Sequence, residues 1–170
     1  DNIDLDSASS KGIVVMNTPF GNAITTAEHT IAMIFAAARN IPAANQSTQS
    51  GRWEKKKFIG IELSRKKLGI VGVGNIGSIV ASLAQSIGME IIAYDPFLSD
   101  ERAKNLKIYK TKDLNDLLSQ SDVVTLHLPK NENTYNIISR ENIYKMKKGS
   151  ILVNCARGGL VEEIAVAEAI

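Results

Sequence analysis

Residues 68–77 read Leu-Gly-Ile-Val-Gly-Val-Gly-Asn-Ile-Gly, a short apolar run passing directly into Gly72-x-Gly74-x-x-Gly77. Beyond it Ile76, Val80, Leu83, Ala84 and Ile87 recur at helical spacing. In the order strand, glycine turn, helix, each glycine has its own task. Gly72 permits the tight turn, Gly74 lets the backbone approach a pyrophosphate, and Gly77 lets the helix pack closely on the strand. The helix start offers unpaired N–H groups and the positive end of its dipole to an anion. The next apolar run, Glu90–Tyr94, ends at Asp95, 18 residues beyond Gly77. A carboxylate at that offset accepts hydrogen bonds from a ribose and repels a 2′-phosphate. Together these features predict a dinucleotide site that takes NAD rather than NADP. Singly, a glycine-rich structural turn and a turn residue ahead of Pro96 are the plainer readings; their joint occurrence outweighs them.

The rest of the chain alternates in the same way. Gly12–Met16 is a β-branched run closed by Asn17-Thr18-Pro19 and predicts a strand. A long helix is expected next, opened by a capping box of Thr25 and Glu28, with Ile24, Ala27, Ile31, Ile34, Phe35, Ala38 and Ile41 on one face. Residues 47–67 are polar and basic and read as a surface connection. Strands are expected at Leu68–Val71, at Glu90–Tyr94, near Lys107–Tyr109, at Val123–Leu126 and at Ile151–Asn154. Between them fall the helix after the glycines, one carrying Leu114, Leu117 and Leu118, and one capped by Ser139 that carries Ile143 and Met146. Another helix begins near Val161. Strands alternating with helices imply an α/β fold, a doubly wound parallel sheet covered on both faces.

The chain has 170 residues, enough for one ordinary domain without disulfides or metal. Its longest apolar run, Ile31–Ala38, is too short to span a membrane, and 20 basic against 18 acidic residues argue against a nucleic-acid partner. One cysteine excludes an internal disulfide and points to a reducing, cytoplasmic compartment. The first residue is Asp1, and the final helical pattern is cut at Ile170, so the chain reads as a piece of a longer protein.

Asn154-Cys155-Ala156-Arg157-Gly158-Gly159-Leu160-Val161-Glu162-Glu163 resembles the arginine-bearing signature of the D-isomer-specific 2-hydroxyacid dehydrogenases. The glycine motif, Asp95 and His127-Leu128-Pro129 stand in the order and spacing that this family shows. Met16-Asn17-Thr18-Pro19-Phe20-Gly21-Asn22 and Gly51–Phe58 are most similar to the branch that oxidises 3-phosphoglycerate. The resemblance covers essentially the whole chain. It implies a Rossmann-type NAD-binding domain over residues 1–170, incomplete at its C-terminus, with the substrate domain elsewhere.

By that resemblance, Arg157 is the catalytic arginine, holding the substrate carboxylate and polarising the oxygen beside the nicotinamide. A planar, permanently charged guanidinium suits the task. Gly72, Gly74, Asn75, Ile76 and Gly77 would hold the pyrophosphate and Asp95 the ribose. His127, Leu128 and Pro129 would line the adenine or ribose side, and Cys155, Ala156 and Arg157 the nicotinamide side. The family's general acid–base, a histidine paired with a glutamate, lies C-terminal to the arginine signature and is not among these residues. Many members carry Asp where this chain has Glu162. The implied assembly is a homodimer or homotetramer built through the long N-terminal helix, with a small 2-hydroxy acid as substrate. The alternatives are a relative acting on glyoxylate, hydroxypyruvate or lactate, or a non-catalytic NAD(H) sensor resembling the C-terminal-binding corepressors.

Other candidates take duller readings. His29 is a helix-face residue rather than a proton donor, and Cys155 a small packing residue rather than a nucleophile. The lysine runs at 55–57, 65–67 and 145–148 read as solvated faces. No metal-ligand spacing is present.

Overall fold

The computed structural model describes residues 3–18 and 21–170; Pro19 and Phe20, used in the sequence reading, lie outside them. Five strands form one parallel sheet: β1 Lys67–Val71, β2 Glu90–Tyr94, β3 Tyr109–Thr111, β4 Val123–Leu126 and β5 Ile151–Asn154. Their order is β3-β2-β1-β4-β5. The direction of winding therefore reverses between β1 and β4, and a crevice opens beyond their carboxyl ends. Among the described residues seven helices accompany the sheet: α1 Leu5–Ser10, α2 Ala23–Ala38, α3 Ile41–Gln49, α4 Asn75–Ser86, α5 Asp100–Asn105, α6 Leu114–Gln120 and α7 Glu163–Ala169. None is long and apolar enough to cross a membrane.

The two-residue period of a strand sends successive side chains to opposite faces, so a doubly covered strand is apolar at every position. Leu68, Ile70, Ile91, Ala93, Val123 and Val153 join one core with Ala27, Ile34 and Ala38 of α2 and Val80, Ala81 and Ala84 of α4. Val71, Ile92, Val124 and Leu126 join the other with Leu117 and Leu118 of α6, Leu160, and Ala165 of α7. Gly69 in the central strand has a specific reason: a Cβ there would lie 2.3 Å from Ser121 Oγ and 2.6 Å from Leu117 Cδ2. Its absence lets the end of α6 press onto the sheet.

Several expectations need correction. Residues 13–18 form no strand, and Ile13, Val14 and Met16 are exposed. A β-branched run makes a strand only where a neighbour accepts its hydrogen bonds, and none of the described strands does so. The long helix starts two residues before Thr25, after Asn22, so Thr25 lies inside its first turn rather than capping it. It also stops before Ile41. Asn40 takes a left-handed conformation (φ 53°) and Pro42 sits in the first turn of α3, where a continuous helix would lose a hydrogen bond and clash. The supposed surface connection is consequently part helical: α3 runs to Gln49 and a 3₁₀ turn covers Lys55–Phe58.

The third strand begins at Tyr109 rather than Lys107, because Lys107 is left-handed (φ 54°) and closes α5. The helix expected after Ser139 is only a 3₁₀ turn, Ile143–Lys145. There both ends of the Asn142 amide bind the preceding backbone, accepting from Ser139 N–H at 2.9 Å and donating to Ile137 O at 2.7 Å. Those bonds compete with a helical ladder.

Candidate functional site

The glycine turn leaves β1 at the reversal of strand order. Gly72 has φ 93°, and a Cβ on it would stand 2.5 Å from the His127 carbonyl oxygen. Gly77 is packed more tightly still, with a Cβ position 2.1 Å from Gly72 O. Gly74 is the opposite case: nothing lies within 4 Å of its Cβ position. The first and last glycines are therefore consumed by chain packing, while the middle one faces open space. Asn75 is exposed and Ile76 half-buried at the start of α4, and no side chain caps that helix. Its first N–H groups point where an anion would be favoured.

Asp95, at the end of β2, is fixed by two backbone donors. Val73 N–H reaches Oδ2 at 2.7 Å and Phe97 N–H reaches Oδ1 at 2.8 Å. The first bond, invisible in the sequence, ties the ribose-binding candidate to the glycine turn. Each carboxylate oxygen keeps acceptor capacity for a ligand hydroxyl.

His127, Leu128 and Pro129 follow β4. His127 N–H donates to Val71 O at 2.8 Å, extending the β1–β4 pairing, and Leu128 Cδ2 would come within 2.7 Å of a Gly72 Cβ. The segment thus forms the wall behind the glycine turn. The His127 ring contacts buried Thr125 Oγ1 through Nε2 at 3.1 Å, while Nδ1 is buried without a hydrogen-bond partner. Desolvation pushes the imidazole down from its ordinary 6.5 to about 4. The ring is neutral at physiological pH.

That shift has a thermodynamic consequence. The folded-state value lies below the unfolded one, so the unfolded chain binds more protons between them. Stability is then fully present above about pH 6.5 and is lost as the pH falls toward 4, by up to about 3 kcal/mol. His127→Gln is expected to flatten the dependence of melting temperature on pH across this window; an unchanged slope would assign the acid sensitivity to other groups.

The fourth contribution comes from the end of β5. Arg157 is exposed and donates from Nη1 to Ala156 O at 2.9 Å. Cys155 and Ala156 are half-buried and pack on opposite faces of the sheet, Cys155 toward α2 and α4 and Ala156 toward α6 and α7. The longer acid Glu162 has a local use. Its Oε2 accepts from Arg140 N–H at 2.7 Å and its Oε1 lies 3.7 Å from Arg140 Nε, holding the start of α7. Exposed His29 lies on α2. Of the lysine runs, Lys57 pairs with Glu54 at 2.5 Å and Lys147 with Asp122 at 3.0 Å.

The residues singled out for cofactor and substrate thus belong to the carboxyl ends of β1, β2, β4 and β5. A cavity of about 690 Å³ lies at the other end of the sheet, lined by Lys67, Glu90, Lys107 and Gln120 among others. It has none of the phosphate-binding geometry, whereas the crevice at the strand reversal has an uncapped helix start, an open glycine and an oriented carboxylate. This donor set fits a dinucleotide: amides for a pyrophosphate and Asp95 for a ribose diol, with Asp95 in no ion pair among the described residues.

Residues 31–170 match the family described as D-isomer specific 2-hydroxyacid dehydrogenase, NAD binding domain, and the chain belongs to that family. Over all 170 residues it is 49% identical to the D-3-phosphoglycerate dehydrogenase of Archaeoglobus fulgidus and 49% identical to that of Synechocystis sp.. It spans 32% and 30% of their lengths. The apo-structure of D-lactate dehydrogenase from Escherichia coli superposes with a TM-score of 0.91 at 32% identity, over 99% of this chain and 53% of that one. A glyoxylate reductase from Paecilomyes thermophila gives 0.88 at 36% identity, over 99% and 51%.

Proposed function

We propose that this chain supplies the NAD-binding domain of a longer dehydrogenase that oxidises 3-phosphoglycerate to 3-phosphohydroxypyruvate. The observation that carries the reading is the meeting, at one strand reversal, of an uncapped α4, a carboxylate fixed to the glycine turn and an exposed arginine on the neighbouring loop. The choice of substrate is supported by identity across the whole chain to proteins named D-3-phosphoglycerate dehydrogenase.

In this reading the amides of Asn75 and Ile76 hold the pyrophosphate, and Gly74 leaves it room. Asp95 accepts the ribose hydroxyls and excludes a 2′-phosphate. His127, Leu128 and Pro129 wall the crevice with a neutral surface, and Cys155 and Ala156 flank the nicotinamide. When bound there, NAD would supply the hydride acceptor for the oxidation at C2 of the substrate. Arg157 grips the substrate carboxylate and stabilises negative charge on the reacting oxygen, which pre-orients C2 toward the cofactor. The proton is taken by the histidine–glutamate pair that the family carries beyond this segment.

Exposed Ile24, Met33, Ile41, Trp53, Ile59 and Ile61 in and around α2 and α3 support assembly as a homodimer or a multiple of it. A second reading, a relative acting on D-lactate or glyoxylate, is favoured by the likeness to the two solved enzymes above. NAD reduction by the full-length protein, followed with 3-phosphoglycerate, D-lactate, D-glycerate and 2-hydroxyglutarate and repeated with NADP, separates the readings. Selective turnover of 3-phosphoglycerate with NAD is expected. Preference for another acid would move the protein to the second reading, and NADH binding without turnover would make it a sensor.

A further inference from the structure

We propose that Asn154 is a positioning residue for Arg157: its carboxamide clamps the loop that carries the arginine and fixes where the guanidinium starts. The inference rests on the reading of Arg157 as the substrate-gripping residue. Asn154 is the last residue of β5, three positions before Arg157, and its side chain is exposed. Both ends of the amide are nonetheless used on the loop. Oδ1 accepts from Ala156 N–H at 3.1 Å, and Nδ2 donates to the Arg157 carbonyl at 2.8 Å. A backbone N–H only donates and a carbonyl only accepts, so the partners themselves fix the orientation of the amide.

The far side of the loop makes this clamp necessary. Arg157 is followed by two glycines. Nothing lies within 4 Å of a Cβ position on Gly158, and Gly159 is left-handed at φ 80°. Glycine backbone is the least restrained, so the loop's own sequence does little to hold it. Asn136 N–H, which donates to Gly159 O at 2.8 Å, anchors one side of it, and the Asn154 amide anchors the other. Asparagine alone has the reach and the paired donor and acceptor for this. Aspartate keeps the bond to Ala156 N–H but cannot donate to Arg157 O, and glutamine is one methylene too long.

Catalysis is far more sensitive than folding to such a clamp, because a displacement of about 1 Å can lower a rate roughly 100-fold. Asn154→Ala in the full-length protein is expected to lower kcat/KM for the hydroxy acid by about 10- to 100-fold. The NADH dissociation constant should change only a few-fold, since the glycine turn and Asp95 lie on other strands and only the nicotinamide-side contacts of Cys155 and Ala156 share this loop, and the melting temperature should move by only a few degrees. The decisive measurement is the double-mutant cycle with Arg157→Ala, read as residual turnover at raised enzyme concentration. If Asn154 acts through Arg157, its loss has little further effect once the arginine is gone. The same factor on both backgrounds, or wild-type kcat/KM in Asn154→Ala, would overturn the inference while leaving the role of Arg157 standing. Wild-type turnover in Arg157→Ala itself would overturn that role, and this inference with it.

Discussion

Replacing Arg157 by alanine is expected to lower kcat of the full-length protein in the proposed reaction by about 10²- to 10³-fold, the usual cost of removing one preorganised donor from a developing negative charge. The geometry accounts for both the size and the selectivity of the effect. Arg157 is exposed at the end of β5, and its Nη1 donates to the carbonyl of its neighbour Ala156 at 2.9 Å. Lysine should not restore the activity, because a compact ammonium cannot reproduce the planar two-point grip. NADH affinity should change only a few-fold, since the proposed phosphate and ribose contacts belong to β1 and β2. Steady-state kinetics with a parallel fluorescence titration of NADH would check both statements. Undiminished kcat would remove Arg157 from the chemistry.

The second large effect is expected at Gly77. Its Cβ position lies 2.1 Å from the Gly72 carbonyl oxygen and 3.2 Å from the carbonyl carbon, both backbone atoms that cannot swing aside. Gly77→Ala must push α4 away from the turn, which misplaces the amides offered to the pyrophosphate. Overpacking of this kind costs about 1–3 kcal/mol of stability, and NADH binding should weaken by more than about tenfold as the helix start moves. Gly74 gives the contrast. With open space before it and an ordinary φ of −76°, it should accept alanine with little change in melting temperature. There the loss should fall on cofactor affinity, because the methyl would enter the volume assigned to the pyrophosphate. Thermal melts beside NADH titrations of the two variants test the division of labour, and identical behaviour would refute it.

The segments read correctly from sequence share one property. Glu90–Tyr94, Val123–Leu126 and Ile151–Asn154 are strands at the residues expected, because strands inside a doubly covered sheet are continuous apolar runs ended sharply by turn formers. Gly12–Met16 has much the same composition and fails, since a strand also needs a neighbour, and pairing is a property of the fold rather than of five residues. The break at Asn40 was announced by Pro42, but the apolar spacing through Ile41 masked it. Helix α5 escaped notice because it has almost no apolar stripe; only Ser99, accepting from Arg102 N–H at 3.2 Å, marks its start.

The candidate site was legible where residue type alone carries the signal, as with glycines in a phosphate turn, an acid at a strand end and an arginine in a family signature. The unpartnered Nδ1 of His127, the bond from Val73 to Asp95 and the grip of Asn154 depend on which side chains meet in space. No spacing rule encodes those contacts.

The reversal of strand order has a consequence for how the domain holds itself together. Leu68 pairs with Val123 across 55 residues of chain, and Asp122 closes the same junction by accepting from Lys67 N–H at 2.8 Å. Of the strand pairs in the sheet this one closes the longest stretch of chain, so its pairing carries the largest loop-closure entropy among them. The crevice assigned to the dinucleotide sits across this junction, with the glycine turn on one bank and the His127 wall on the other. A ligand seated there would act as a rivet through the longest-range strand pairing of the sheet, and its occupancy would add to the work needed to pull the two halves of the sheet apart.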